Sequence, residues 1–300
     1  MSTRPGSRLT PELTGYLLVG AAAVLWGGQS VVVKFLLASG IPVATLVSAR
    51  TSLAFFLLAA VLAATAPRSF SIRRRDLPYF AVLGILGMAL SNFTYYFALT
   101  QLPVATAVLI LYTSPLLVLG ASAVLWAEPI RRRDLAGALL ALLGCALVIR
   151  IYAPAALRLS ALGVAAALFG ACAFAFYNLW GKSGTSRFSA WTILAYALGF
   201  SAGFWILIAP PWGFFLSPHR GAIWAGLAVV VVAGTILPFA CYLAGLARIS
   251  AAHANLTSTL EPLAAALAAF LVLGETLAWP QLLGGALTLA GIALIHERPA

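Results

Sequence analysis

Glu261 lies about ten residues into a long apolar run, near the depth at which a charge costs roughly 2.5–3.5 kcal/mol on insertion scales. A carboxylate there faces a cavity or a partner, and it suits a substrate contact or a coupled proton. The plainer reading is a hydrogen-bonded carboxyl that supports the bend at Pro262. Arg50 is the other ionisable group well inside an apolar run. It either pairs with Glu261 or snorkels to the outer headgroups, and the sequence favours snorkelling.

Uncharged polar and aromatic residues also recur within the apolar runs. Trp26, Gln29 and Ser30 share the first, and Asn92, Tyr95 and Tyr96 the third. Tyr112 and Thr113 lie in the fourth, Tyr177 and Asn178 in the sixth, and Tyr242 in the eighth. His253, Asn255, Ser258 and Thr259 lie in the ninth. Asn92 and Tyr96 are four apart, as are Asn255 and Thr259, so each pair shares one helix face. Amide groups suit a carboxylate or an ammonium, and rings suit an apolar or planar group. The expected substrate contacts are Trp26, Gln29, Asn92, Tyr95, Tyr96, Tyr112, Tyr177, Asn178, Tyr242, Asn255, Ser258 and Thr259. About half of them should line a cavity and the rest pack or sit at the interface.

Four charges near span ends form a second set. Lys34 with Glu275 falls near one face and Lys182 with Glu128 near the other. Each set could bias closure on its own side, although exposed ion pairs contribute only about 0–1 kcal/mol. The plainer reading has all four meeting headgroups.

Other patterns carry no chemistry. Gly181-Lys182-Ser183 ends like a phosphate loop, but Phe176 fills the earlier glycine position. Asn92-Phe-Thr94 and Asn255-Leu-Thr257 match a glycosylation pattern but lie within apolar runs. Gly199 and Gly203 are spaced for close helix packing. His219, His253 and His296 lack a second ligand at metal spacing, and Cys145, Cys172 and Cys241 read as packing residues. No metal, cofactor or catalytic set is expected, so the chain reads as not an enzyme.

The elements that position these residues follow from composition. Hydrophobic residues make up 63% of the 300 positions and charged residues 8%. Soluble domains carry about 25% charged residues, so the solvent for most of this surface is lipid. Ten apolar spans are expected, at about 13–38, 42–66, 77–100, 104–127, 134–152, 160–182, 188–209, 222–246, 251–274 and 280–296. The net charge of +11 comes from short basic clusters between spans rather than from a nucleic-acid site. With the N-terminus in the cytoplasm, the inside receives Arg4, Arg8, Arg68, Arg73, Arg74, Arg75, Arg131, Arg132, Arg133, Lys182, Arg187, Arg248 and Arg298. The outside receives only Lys34, Arg150, Arg158 and Arg220. Both termini are therefore expected in the cytoplasm.

The chain also repeats itself. Residues 98–148 shifted by 147 places fall on 245–295, so Pro115 meets Pro262, Glu128 meets Glu275, and Gly137 and Gly144 meet Gly284 and Gly291. The first span has its counterpart too, since Gly15 and Lys34 align with Gly163 and Lys182 at a shift of 148. Five spans per copy is an odd number, which turns the second copy over in the membrane. The expected fold is an all-α polytopic membrane protein: ten transmembrane helices as two inverted five-helix repeats, 1–152 and 153–300, around a central cavity.

The stretch from Ala98 to Ala105 with Pro115 and Glu128 resembles the EamA-type repeat of the drug/metabolite transporter superfamily. So does Asn255 through Pro262, with Leu273-Gly274-Glu275 and Gln281 to Gly291. Within that superfamily the chain looks most like the aromatic amino acid exporters of the YddG type. The resemblance implies a secondary transporter of the bacterial inner membrane, exporting amino acids, aromatic ones included, or similar small metabolites by alternating access. The alternative is export of drugs or hydrophobic cations. Expected partners are the small-molecule substrate and the lipid bilayer, with no nucleic acid, and the chain is expected as a monomer or weak dimer.

Overall fold

The computed structural model describes residues 10–127, 129–153, 160–273 and 276–296, and among these the regular structure is helical. The elements run α1 (Pro11–Ala38), α2 (Val43–Thr65), α3 (Leu77–Val82), α4 (Leu90–Gln101), α5 (Val104–Leu111), α6 (Ser114–Trp126), α7 (Arg132–Val148) and α8 (Ala161–Gly184). They continue with α9 (Ala190–Ile208), α10 (Trp212–Leu216), α11 (Gly221–Val231), α12 (Leu237–Leu246), α13 (Ala251–Thr257), α14 (Leu260–Leu273) and α15 (Trp279–His296). Hydroxyl caps start four of them: the Thr10, Ser160, Ser189 and Ser250 side chains accept from backbone N–H groups three residues on.

Seven helical stretches among the described residues are long and apolar enough to cross a membrane, and Trp279–Ile295 is a shorter apolar helix. The expected spans at 134–152 and 251–274 fall short as unbroken helices. Helix α7 has 17 residues, and α13 and α14 are separated at Ser258 and Thr259. Pro262 accounts for that interruption, because its ring has no N–H and collides with the carbonyl four residues back. Pro115 acts alike on the matching segment, where Tyr112 and Thr113 separate α5 from α6. The Ser258 carbonyl that Pro262 leaves free accepts from the Glu261 N–H at 3.0 Å, and the Thr113, Ser258 and Thr259 hydroxyls donate to carbonyls three residues back.

A second shared irregularity lies one span earlier. A π-helical stretch, Leu83–Ala89, joins α3 to α4, and another, Val232–Ile236, joins α11 to α12. Each contains a glycine, Gly87 or Gly234, 147 places apart. Pro238 has no N–H for the Gly234 carbonyl, so the second helix widens there.

Packing runs across the chain's two halves. Helix α1 packs on α12 and α14, while α8 packs on α4, α5 and α6. Helices α7 and α15 cross antiparallel through glycines: a Cβ on Gly137 would lie 2.7 Å from the Gly291 carbonyl oxygen, and one on Gly144 2.6 Å from that of Gly284. The close approach expected at Gly199 and Gly203 is found at the first alone, where a Cβ would meet the Phe55 ring; Gly203 faces open space. Cys145 is buried, whereas Cys172 is exposed and so is not a packing residue. Leu207, Leu216 and Val124 are each more than four-fifths exposed, an outer surface suited to lipid rather than water.

Candidate functional site

The two helix breaks and the two π-stretches converge on one cavity of about 610 Å³, its mouth included. Helix α1 supplies Trp26 and Gln29, and α2 supplies Arg50. The first π-stretch and α4 supply Gly87, Ser91, Asn92, Tyr95 and Tyr96, and Leu111 and Tyr112 come from the first break. Helix α8 supplies Phe174 and Tyr177, the second π-stretch Gly234, α12 Phe239, and the start of α14 Glu261. The two glycines set its depth, because a Cβ on Gly234 would run into the Gln29 amide and one on Gly87 into the Tyr177 ring. Gln29 and Tyr177 are counterparts under the shift of 148, as are Trp26 and Phe174.

One wall is aromatic. The Trp26 ring meets Phe239 at 5.1 Å in a T-shape and Phe174 at 6.3 Å, and Tyr177 meets Phe239 edge-on at 5.7 Å. Such pairs prefer tilted or edge geometries and form a stiff apolar surface.

Two ionisable groups face the same space. Arg50 is only 2% exposed, which corrects the expectation that it snorkels. Its guanidinium donates to the Tyr96 hydroxyl and, at 3.0 Å, to Asn92 Oδ1, and Nε has no partner. Glu261 Oε2 accepts from the Tyr112 hydroxyl at 2.7 Å. That bond joins the break in one half to the break in the other, as does Ser114 Oγ donating to Asn255 Oδ1 at 3.0 Å. Two more buried polar atoms on the wall lack partners, Gln29 Oε1 and Tyr177 Oη. Buried polar groups are nearly always satisfied, so these atoms are open to a ligand or to water.

Of the expected contacts, Trp26, Gln29, Asn92, Tyr95, Tyr96, Tyr112, Tyr177 and Glu261 line this cavity. Five others do not. Asn178 accepts from the Tyr242 hydroxyl behind the wall, and Asn255, Ser258 and Thr259 tie up the α13–α14 break. Periodicity shows which residues share a face, but not that this face meets another helix. Arg50 is singled out in the sequence but not as a substrate contact, and Ser91, Leu111, Phe174, Phe239 and the two glycines are not singled out at all. The 148-residue shift finds Phe174 as the partner of Trp26, whereas Gly87 and Gly234 are partners only of each other under the shift of 147.

Of the expected gate residues, Glu128 and Glu275 lie outside the described residues, and Lys34 is exposed at the end of α1. Lys182 Nζ donates at 2.8 Å to both the Leu246 and Ile249 carbonyls, capping α12. Tyr16 Oη and His253 Nδ1 are 2.7 Å apart at the same end, with Asp134 3.7 Å from His253 Nε2. Arg187 pairs there with Asp76, and Trp180 donates to the Tyr79 carbonyl. At the opposite end a second hollow, lined by Ser30, Ile149, Arg150 and Gln281, shares Tyr95 and Glu261 with the central cavity. No group of three metal-ligating side chains occurs among the described residues.

Comparison with known proteins gives this arrangement a context. The EamA-like transporter family matches the chain twice, over residues 13–150 and 161–296. The chain is 27% identical over 292 residues to an uncharacterised inner membrane transporter, YicL, of Salmonella typhimurium, covering 94% of each. It is 28% identical over 255 residues to a protein of Streptantibioticus cattleyicolor described as a probable terminal-alkyne amino-acid exporter, covering 83% of this chain and 84% of that one. An uncharacterised transporter of Archaeoglobus fulgidus is 29% identical over 214 residues, 70% of this chain and 75% of that one. One crystal structure superposes with a TM-score of 0.77 at 19% identity, covering 94% of this chain and 96% of that one, a likeness of fold.

Proposed function

Since the chain belongs to the EamA-like transporter family, we propose that it exports amino acids, aromatic ones included, across a bacterial inner membrane by alternating access. The observation that carries this reading is the cavity itself: an aromatic wall and unsatisfied polar atoms at the point where both helix breaks meet. A cavity with an apolar wall and a few convergent polar groups is the usual form of a small-molecule site.

Ten membrane-crossing segments in two inverted repeats are part of the proposal, with both termini in the cytoplasm. The antiparallel α7–α15 crossing supports inversion, because these are equivalent elements of the two copies. Reciprocal packing of α1 on α12 and α8 on α4 supports it too. Polar ties gather at the end holding Tyr16, Lys182 and His253, and the second hollow leads from the cavity toward the other. That asymmetry favours an outward-facing state closed on the cytoplasmic side. Family membership also favours a transporter over an enzyme.

Purified protein in liposomes, preloaded with unlabelled amino acid, tests the proposal. Labelled phenylalanine, tryptophan and leucine are expected to accumulate by counterflow. Failure of all three, with exchange of a quaternary ammonium cation, would replace this reading with export of hydrophobic cations. Glu261 against an aromatic wall is the observation that favours that alternative.

A further inference from the structure

We propose that Arg50 and Glu261 are the two poles of a zwitterion site. Arg50 takes the substrate carboxylate and Glu261 the ammonium, with the side chain against Trp26, Phe174 and Phe239. This rests on the amino-acid reading and adds which end of the substrate meets which residue.

Both charges face one cavity, yet no ion pair joins them among the described residues. Each is held back by neutral groups of its own half or the facing one: Arg50 by Tyr96 and Asn92, Glu261 by Tyr112. A guanidinium 2% exposed and paired only with neutral oxygens is expensive to keep in an apolar surrounding. Intramembrane charges that lack a protein counter-ion mark substrate paths. Arginine has five N–H donors, and two are engaged here, so Nε and two others remain. A planar fork of that kind matches a carboxylate and does so better than lysine. A hydrophobic cation would leave Arg50 uncompensated and add its own charge beside it. A zwitterion neutralises both poles at once. Gln29 Oε1, buried and unpartnered on the same wall, is a further acceptor for the ammonium.

The test uses phenylalanine with two truncated analogues, phenethylamine without the carboxylate and 3-phenylpropionate without the ammonium, as competitors of labelled phenylalanine uptake in proteoliposomes. Wild type is expected to bind phenylalanine at least tenfold more tightly than either analogue. Arg50→Gln is expected to weaken phenylalanine at least tenfold and phenethylamine less than threefold. Glu261→Gln is expected to show the same pattern with 3-phenylpropionate spared. Arg50→Lys should retain part of the carboxylate preference. Analogues that compete with wild type as well as phenylalanine overturn the inference without any variant. So do variants that lose all three ligands equally while eluting as folded protein. If phenylalanine itself neither moves nor competes, the amino-acid reading fails and this inference with it; if it moves but the analogues match it, this inference alone fails.

Discussion

Replacing Gly144 with alanine tests whether the α7–α15 crossing holds the two halves together. The added Cβ would lie 2.6 Å from both the Gly284 carbonyl oxygen and the Thr288 nitrogen, backbone atoms that no rotamer change can remove. Ordinary contact distance is about 3.5–4.0 Å, so the helices must separate by roughly 1 Å. Overpacking of this kind costs about 1–3 kcal/mol, offset by the roughly 0.5–1 kcal/mol that alanine gains over glycine in a helix. Gly203 is the internal control, since it lies within α9 and a Cβ there meets nothing within 4 Å. Only the helical gain applies to Gly203→Ala. The two variants should differ in thermal midpoint by about 2–12 °C, taking roughly 2–4 °C per kcal/mol. Gly203→Ala is expected at or above wild type and Gly144→Ala below it, measured in detergent by tryptophan fluorescence. Equal midpoints, or Gly203→Ala the lower, would refute the argument that this crossing is close-packed.

Lys182→Met removes a cation that donates to the last α12 carbonyl, of Leu246, and to that of Ile249 just beyond it, bonds to charged groups being worth about 1.5–3 kcal/mol each. Amide exchange across 243–249 should then rise at least about tenfold, the equivalent of 1.4 kcal/mol, and unchanged exchange would rule out a capping role. Tyr112→Phe leaves Glu261 without its donor. Phenylalanine uptake should fall about tenfold or more if that bond positions the carboxylate, and a rate within about twofold of wild type would show that it does not. Trp26→Ala deletes the ring packed on Phe239 and Phe174. The ratio of phenylalanine to alanine uptake should fall while alanine uptake persists, and an unchanged ratio would remove Trp26 from the side-chain wall. Asp76→Asn strands Arg187 where the two halves meet. Because the arginine is about half exposed, water takes over its charge and the loss should stay below about 1 kcal/mol. A midpoint lowered by more than about 5 °C would make this pair a structural lock.

Much of the architecture was legible in the chain. The prolines at 115 and 262 are matched in the sequence and a bend is expected at Pro262, but the breaks they make in the spans at 104–127 and 251–274 are seen only in the structure. Among the described residues, seven of the spans expected from apolar length are helical stretches long enough to cross a membrane. The π-stretches were not foreseen: a one-residue widening leaves hydrophobic periodicity almost unchanged. Arg50 was misjudged because snorkelling and burial give the same sequence, and its neighbours Asn92 and Tyr96 stand on a different helix. Asn178 and Tyr242 are each polar enough for a ligand but are bonded to each other.

The sequence by itself determined that this chain lives in lipid, that it is helical and that one motif was written twice. Those properties follow from composition, period and proline, which act over a few residues. Which polar groups meet across the two copies was decided only by tertiary packing. A hydroxyl at 112 and a carboxylate at 261 are 149 positions apart and become partners because two broken helices abut. The same packing keeps Arg50 away from Glu261 and leaves each facing the cavity.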